Sequence, residues 1–505
     1  MLNSIRVSFK DSMIYGLGNI AVKVIGFILI PLFTNPRYFS VEDFGIMTLL
    51  DISGLVLISL MASALPQSLI RWYWDKEYLS SQKEVFFISF TTQTVVSLLI
   101  CLFLFPYTRQ ISLLIFHTAI WDYAIKLLIL ATSLQAINNI INTLMRVQSK
   151  SVLFSAVNLS KLLIVLLLTV FFIVFKKMGI NGIYLAQVIG NLLFIVFLSG
   201  YAIRNCKVSF NLKVFRSMNL YGFPLMLANF AGASLAVIDR FSLNSMALLK
   251  YVAIYSLAVK FSSVLKLVIV DSIKMAISPM IIQKINSPDN KRFYSKTFLY
   301  SSYVLMIGII GISLFSLELI KFMSKSTEFW GAYVVMPLLT ISVFFVNLRE
   351  TTVYGLIIKK KTWIIGFIVF ISCVINLLLN ILLIPKFNIA GAAIATLFTN
   401  IFYWLGCYYF SQKAFYIPFE IRKIFVMLLV GTALSSVGLF LDEMQLLPRL
   451  IIKTGCFLSF PFILYLFNFY EPVELKAIKG FVIKWSNLKN FKANLKSLKE
   501  IKLEV

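Results

Sequence analysis

KFNIAGAAIATLFTN, residues Lys386 to Asn400, aligns without gaps on KMGINGIYLAQVIGN, residues Lys177 to Asn191, at an offset of 209. Lys177/Lys386, Ile180/Ile389, Gly182/Gly391, Ala186/Ala395 and Asn191/Asn400 are identical. Each stretch joins two long apolar runs. Tyr15-Gly16 opens an earlier run as Tyr221-Gly222 opens a later one, at an offset of 206. A repeat of this kind in a chain made of apolar runs marks a duplicated membrane bundle.

The apolar runs supply the count. A span needs about 20 mostly apolar residues, and windows of that length fall at 12 to 34, 44 to 70, 85 to 106, 122 to 145, 152 to 175, 182 to 203, 221 to 243, 251 to 273, 297 to 320, 330 to 350, 362 to 384, 388 to 410, 424 to 441 and 449 to 468. The expected fold is therefore all-α and polytopic, with about fourteen transmembrane helices. Each repeat match falls six spans from its partner. Six is even, so the two halves enter the membrane in the same direction and are related by a pseudo-two-fold axis along its normal. The expected organisation is a six-helix lobe over 1–203, a second over 204–411, two additional helices over 412–469, and a tail over 470–505. A cleft between such lobes suits alternating access.

Composition agrees. Of 505 residues, 60% are hydrophobic and 13% charged, against roughly 25% charged in soluble domains. The net charge of +26 raises the possibility of nucleic acid, but so apolar a chain has no solvated surface for it. Topology explains most of the excess: 29 of the 47 Lys and Arg fall on segments sharing a side with the N-terminus and 9 on the opposite loops. Retention of cations on the cytoplasmic side then places both termini inside. In the tail, Leu475, Ile478, Val482, Trp485, Leu488, Leu495 and Leu498 recur at helical spacing between lysines. They predict a basic amphipathic helix on the inner leaflet, with a solvated tail as the alternative.

The reactive residues exclude enzyme classes. The single histidine, His117, leaves no His pair for a metal and falls in a predicted outer loop. Cys101, Cys206, Cys373, Cys407 and Cys456 are scattered and never form CxxC, so they read as small apolar residues. The N-terminal MLNSIRVSFKDSM shows no small-residue cleavage site, so no removable signal peptide is expected. No catalytic residue, metal site or cofactor is expected.

The nine remaining cations lie within spans or at their ends. A charge near the bilayer centre costs roughly 2.5–3.5 kcal/mol on insertion scales and usually faces a functional interior. Lys126, Lys274, Arg349 and Lys453 lie near predicted span ends, where long side chains snorkel. Lys23, Lys161, Arg240, Lys260 and Lys266 lie deeper, and form the candidate substrate-binding set. Asp51, Asp239 and Asp271 are the candidate ion-coupling carboxylates. A water-filled cleft lined mostly by Lys and Arg would receive an anion, phosphate above all; the alternative for any one lysine is a structural ion pair. Asn138, Asn139, Asn142, Asn376 and Asn380 share helical faces, and can bind sugar hydroxyls or each other across helices.

YGLGNIAVKVIGFILIPLFT (Tyr15 to Thr34), FSVEDFGIMTLL (Phe39 to Leu50), IDRFSL with YVAIYSLAVKFSSVL (from Ile238), ISPMIIQKI and NLLLNILLIPKFNIAGAAIATLFTN (Asn376 to Asn400) resemble the bacterial oligosaccharide flippases of the multidrug/oligosaccharidyl-lipid/polysaccharide (MOP) exporter superfamily. The resemblance runs to about residue 470. It implies a polyprenyl-diphosphate-linked sugar repeat unit as substrate, moved from the inner to the outer leaflet of the bacterial cell membrane for O-antigen, capsule or similar polymers. Membrane lipids and polysaccharide polymerase or assembly proteins are the implied partners. Alternatives within the fold are a MATE-like drug or cation antiporter and a lipid-linked peptidoglycan precursor flippase. A membrane polymerase would need a large outer loop with catalytic residues.

Overall fold

The computed structural model of the chain describes residues 27–62, 64–283, 287–359 and 361–476. Among them every regular element is helical. The first predicted span, 12–34, falls largely outside the described residues; so does the tail beyond Lys476, where the amphipathic helix is expected.

The first half contains α1 (Val41–Met61), α2 (Leu65–Tyr73), α3 (Gln82–Leu104), α4 (Asp122–Val147), α5 (Ser151–Val170) and α6 (Gly179–Arg204). Ser40 starts α1 through a capping box with Asp43, which satisfies two orphan N–H groups. The predicted second span, 44–70, is broken: Ala64 takes φ 52° and Pro66 begins a new helix, a position where its missing N–H costs nothing. The predicted outer loop after 106 is mostly helical, Thr108–Phe116, and ends at His117 with φ 57°. α4 packs against α3 and α6, and α5 against α6.

The second half contains α7 (Leu212–Leu235), α8 (Ile238–Met246), α9 (Leu249–Leu265), α10 (Ser272–Gln283), α11 (Asn290–Leu314), α12 (Ser316–Met323), α13 (Met336–Thr352) and α14 (Thr362–Ala414). α7 and α8 meet at a break with a 47° bend and together are long and apolar enough to cross a membrane, and a π-helical turn, Lys266–Asp271, joins α9 to α10. α15 (Ile421–Val437) packs against α11, and α16 (Leu446–Leu466) against α15 and α11. The two halves meet where α1 packs on α7 and α9, and α2 on α7.

α14 runs for 53 residues with Pro385 and a non-helical Asn388 (φ 47°, ψ −122°) inside it. Residues 23 apart on a straight helix would be separated by about 35 Å. Yet Asn376 Nδ2 donates to Thr399 Oγ1 at 3.3 Å. The chain therefore reverses at Asn388 and makes two antiparallel spans, as the two windows at 362 and 388 predict. Eleven helical stretches among the described residues are long and apolar enough to cross a membrane, or twelve with the bent pair counted as one; dividing α14 adds another. The protein is a polytopic all-α membrane protein.

The structure accounts for the repeat. Gly179 (φ 55°) and Asn388 (φ 47°) occupy the same position in the alignment, and both hold the left-handed backbone that turns the chain. At the matched glycines an added Cβ would lie 2.8 Å from the Phe172 Cβ for Gly182, and 2.4 Å from the Leu383 carbonyl oxygen for Gly391. The matched asparagines bind to the span two before their own: Asn191 donates to the Ala131 carbonyl of α4 at 3.2 Å, and Asn400 to Ser342 Oγ of α13 at 2.7 Å.

Candidate functional site

A cavity of about 590 Å³ opens where α1 faces α7, α8, α9, α13 and both arms of α14. Its position follows from two local interruptions. The bend between α7 and α8 frees backbone groups and puts Asp239 and Arg240 in the first turn of a new helix, where a carboxylate meets the positive end of the helix dipole. The π-helical turn begins at Lys266, and such turns recur at functional sites. Broken helices at membrane depth are tolerated where they line a cavity.

Three of the five predicted binding cations line this cavity: Arg240, Lys260 and Lys266. Lys260 Nζ lies 4.8 Å above the Phe44 ring, a cation–π contact between the halves. Arg240 donates from Nη1 to the Ala236 carbonyl at 3.2 Å. Lys161 lies elsewhere, in a second cavity, and Lys23 is outside the described residues.

Of the predicted carboxylates, Asp51 and Asp239 line the same cavity and Asp271 does not. Asp51 receives the Tyr184 hydroxyl at 3.0 Å, which ties α1 to α6. Asp239 is buried and accepts three neutral donors: Tyr255 Oη at 2.9 Å, Thr396 Oγ1 at 2.6 Å and Asn380 Nδ2 at 3.1 Å. Asn380 is in turn linked to Asn376. Of the predicted asparagines, Asn138 also serves helix packing, donating to Asn191 Oδ1 at 3.0 Å.

Two cations read as snorkelling at span ends are placed otherwise. α13 runs to Thr352, so Arg349 falls inside the cavity wall. There it stacks at 4.2 Å on Tyr403 and pairs with Glu350 at 2.7 Å. Glu350 also holds Lys274 at 2.6 Å. Lys453 is fully buried, pairing with Glu318 at 3.0 Å. Arg449, assigned to an outer loop, is buried in α16 and pairs with the same carboxylate at 2.8 Å. The signal that could have identified both is Glu318, an acidic residue inside an apolar window. Lys126 does remain beside Asp122 at a helix start, at 2.7 Å.

The cavity wall thus carries Arg240, Lys260, Lys266 and Arg349 against Asp51 and Asp239. Broken helices around a charged internal cavity, on a bundle of this size, are the arrangement of a membrane transporter. In fold it is similar to the lipid II flippase MurJ in an inward closed conformation, with a TM-score of 0.72 at 16% identity over 90% of this chain and 99% of that one. It is also similar to an inward-facing multidrug resistance MATE family transporter of the MOP superfamily, with a TM-score of 0.64 at 11% identity over 79% and 94%. A third likeness is to the Vibrio cholerae MATE transporter VcmN, D35N mutant, with a TM-score of 0.58 at 17% identity over 81% and 95%. Residues 8–285 match the family described as polysaccharide biosynthesis protein, and the chain belongs to that family. The uncharacterized membrane protein MJ1068 of Methanocaldococcus jannaschii is 26% identical over 285 residues, 54% of this chain and 56% of that protein. The match thus spans about half the length of that curated relative.

Proposed function

We propose that the protein moves a polyprenyl-diphosphate-linked oligosaccharide from the inner to the outer leaflet of a bacterial cell membrane, for assembly of a surface polysaccharide such as O-antigen or capsule. The observation that carries this reading is the charge of the internal cavity: four cations outnumber two carboxylates on its wall. A diphosphate leaving water needs replacement donors, and Lys and Arg supply them as point charges and a fork. The lipid tail stays in the bilayer while the head group enters the cleft, and rocking of the two six-helix halves turns the cleft outward. With both termini inside, an inside-negative potential favours outward movement of negative charge by about 2.3 kcal/mol per charge per 100 mV.

The carboxylates supply a further part. Asp239, ringed by hydroxyl and amide groups and making no ion pair among the described residues, is the ion-coupling residue in this reading, exchanging a proton or sodium ion as the halves move. Asp51 is the second candidate, and Asp271 a weaker one because it stands outside the cavity wall. Family membership and a fold shared with a lipid II flippase support a lipid-linked substrate.

The test is deletion of the gene, followed by analysis of surface polysaccharide and of lipid-linked intermediates. Loss of one polymer with intermediates retained on the inner leaflet is expected. Unchanged polysaccharide with altered drug sensitivity would assign the protein to the antiporters instead, and arrest of peptidoglycan synthesis to the precursor flippases.

A further inference from the structure

A second cavity, of about 800 Å³, shares no lining residue with the first. Its volume is that of a small-molecule site. α4 lines it with Gln135, Asn139, Asn142 and Arg146. Spaced four, three and four residues apart, they form one stripe about 16 Å long on a single helix face. Lys161 of α5 and Gln187 of α6 face the stripe across the cavity, and no carboxylate is among the lining residues.

Some of these polar groups are used up by the fold. Asn142 exchanges hydrogen bonds with Asn158 of α5 at 2.9 and 3.4 Å. Others are not: the side-chain amides of Gln135, Asn139 and Gln187 make no hydrogen bond to a described residue. Among the described residues Lys161 Nζ has one acceptor, Asn191 Oδ1 at 3.2 Å, and rests 5.1 Å above the Phe194 ring. Arg146 makes no ion pair among the described residues. Amides in a membrane span ordinarily find partners on neighbouring helices. Three that do not, aimed into one cavity beside two cations, are arranged for a ligand.

Chemistry narrows the ligand. An amide offers a donor and an acceptor together, which matches a sugar hydroxyl, itself both. Lys and Arg only donate, so they call for an acceptor, best an anion. We propose that this cavity is the saccharide subsite of the transported lipid: the amide stripe holds hydroxylated sugar rings, and Lys161 and Arg146 hold one anionic group of the same molecule. The inference rests on the flippase reading above and divides its labour. The cavity around Asp239 would hold the diphosphate and couple the cycle, and the cavity around Asn139 would select the cargo. Pro66 of α2 and Met275 of α10 complete the wall. Met275 comes from the second half, so relative movement of the halves alters the subsite. The anion is an acid group on the sugar, since the first cavity takes the linking diphosphate.

Affinities measured by calorimetry on the full chain in lipid nanodiscs test this, with three probes: farnesyl diphosphate, farnesyl diphosphate carrying N-acetylglucosamine, and farnesyl diphosphate carrying glucuronic acid. The wild type is expected to prefer a sugar-bearing probe over the bare lipid by roughly tenfold, since each added hydrogen bond is worth a factor of a few. N139A/Q187A is expected to bring that preference close to one, and Q187N to retain part of it. K161A is expected to weaken the glucuronic acid probe alone and to leave the other two unchanged. A sugar preference that survives N139A/Q187A, or a K161A protein unchanged toward every probe, overturns the subsite alone. Failure of the wild type to bind any of the three lipids overturns the flippase reading with it.

Discussion

Asp239 on α8 accepts the Thr396 hydroxyl from the second arm of α14 at 2.6 Å, its shortest contact. Tyr255 and Asn380 complete a shell of neutral donors around the same carboxylate. The bond joins a bent span to a reversed one, so any change in the charge of Asp239 is felt by both. Asp239→Asn keeps the size and removes the charge. It is expected to leave the protein in the membrane at wild-type level, and to abolish the dependence of transport on a proton or sodium gradient in proteoliposomes. A D239N protein that still responds to the gradient like the wild type would remove Asp239 from the coupling role.

Lys260 lines the same cavity, over Phe44. Lys260→Ala removes a cation that faces the cleft near Asp51; among the described residues it breaks no ion pair within 4 Å, so folding should survive. Surface polymer is expected to fall at least tenfold, corresponding to roughly 1.4 kcal/mol or more of lost binding. Lys260→Arg should keep part of it. Export by K260A equal to wild type, at equal protein level on an immunoblot, would count directly against an anion-binding cleft.

The spans were legible because each is set by a local property, the apolar run. The repeat was legible because Gly182 and Gly391 each serve a close approach that admits no Cβ. The deep cations were legible in Arg240, Lys260 and Lys266, which one cavity collects. Arg349 and Arg449 were not, because the burial of Arg349 depends on where its own helix ends and that of Arg449 on Glu318, a partner some 130 residues away in sequence. The unsatisfied amides were invisible for a similar reason: Asn138 and Asn139 are adjacent in sequence, yet one packs against α6 and the other faces open space.

Glu318 holds two buried cations, Arg449 at 2.8 Å and Lys453 at 3.0 Å, and so anchors α16 to the rest of the bundle. Removing the carboxylate leaves both cations uncompensated, an effect of about 3–5 kcal/mol for a buried pair. Glu318→Ala is expected to lower the melting temperature in detergent by several degrees, and K453M/R449M/E318L, which removes all the charges together, to recover most of it. Equal melting of E318A and wild type would show that the triad contributes nothing to stability.

Glu420, before α15, and Glu471, after α16, share Lys296 of α11, and Glu420 also pairs with Lys423 at 2.7 Å. Burial alone would raise the Glu420 carboxyl, but the hydrogen bonds from Lys296 and Lys423 outweigh it and hold the group below the usual carboxylate range. The hydrogen bond from Lys296 does the same for Glu471. A carboxyl depressed by folding contributes stability that is complete above its unfolded pKa and lost as pH falls through the lower folded one. Stability should therefore be flat from pH 8 to about 5 and decline below about 4.5. In melting curves E420Q/E471Q should flatten that decline; an unchanged slope would dissociate these carboxyls from it.

Gly391 tests the hairpin on which the second copy of the repeat depends. An added Cβ there would lie 2.4 Å from the Leu383 carbonyl oxygen and 2.6 Å from its carbon. Both are backbone atoms of the preceding arm, which cannot turn aside as a side chain would. Gly391→Ala must therefore push the arms apart, pulling Thr396 and Thr399 away from Asp239 and Asn376. Gly366, on the same element, has open space around the corresponding position. G391A is expected to cut the yield of folded protein on size-exclusion chromatography severalfold, while G366A leaves it unchanged. Similar yields for the two would mean that the two arms do not need this close approach, and that the glycine shared with position 182 is not kept there by packing.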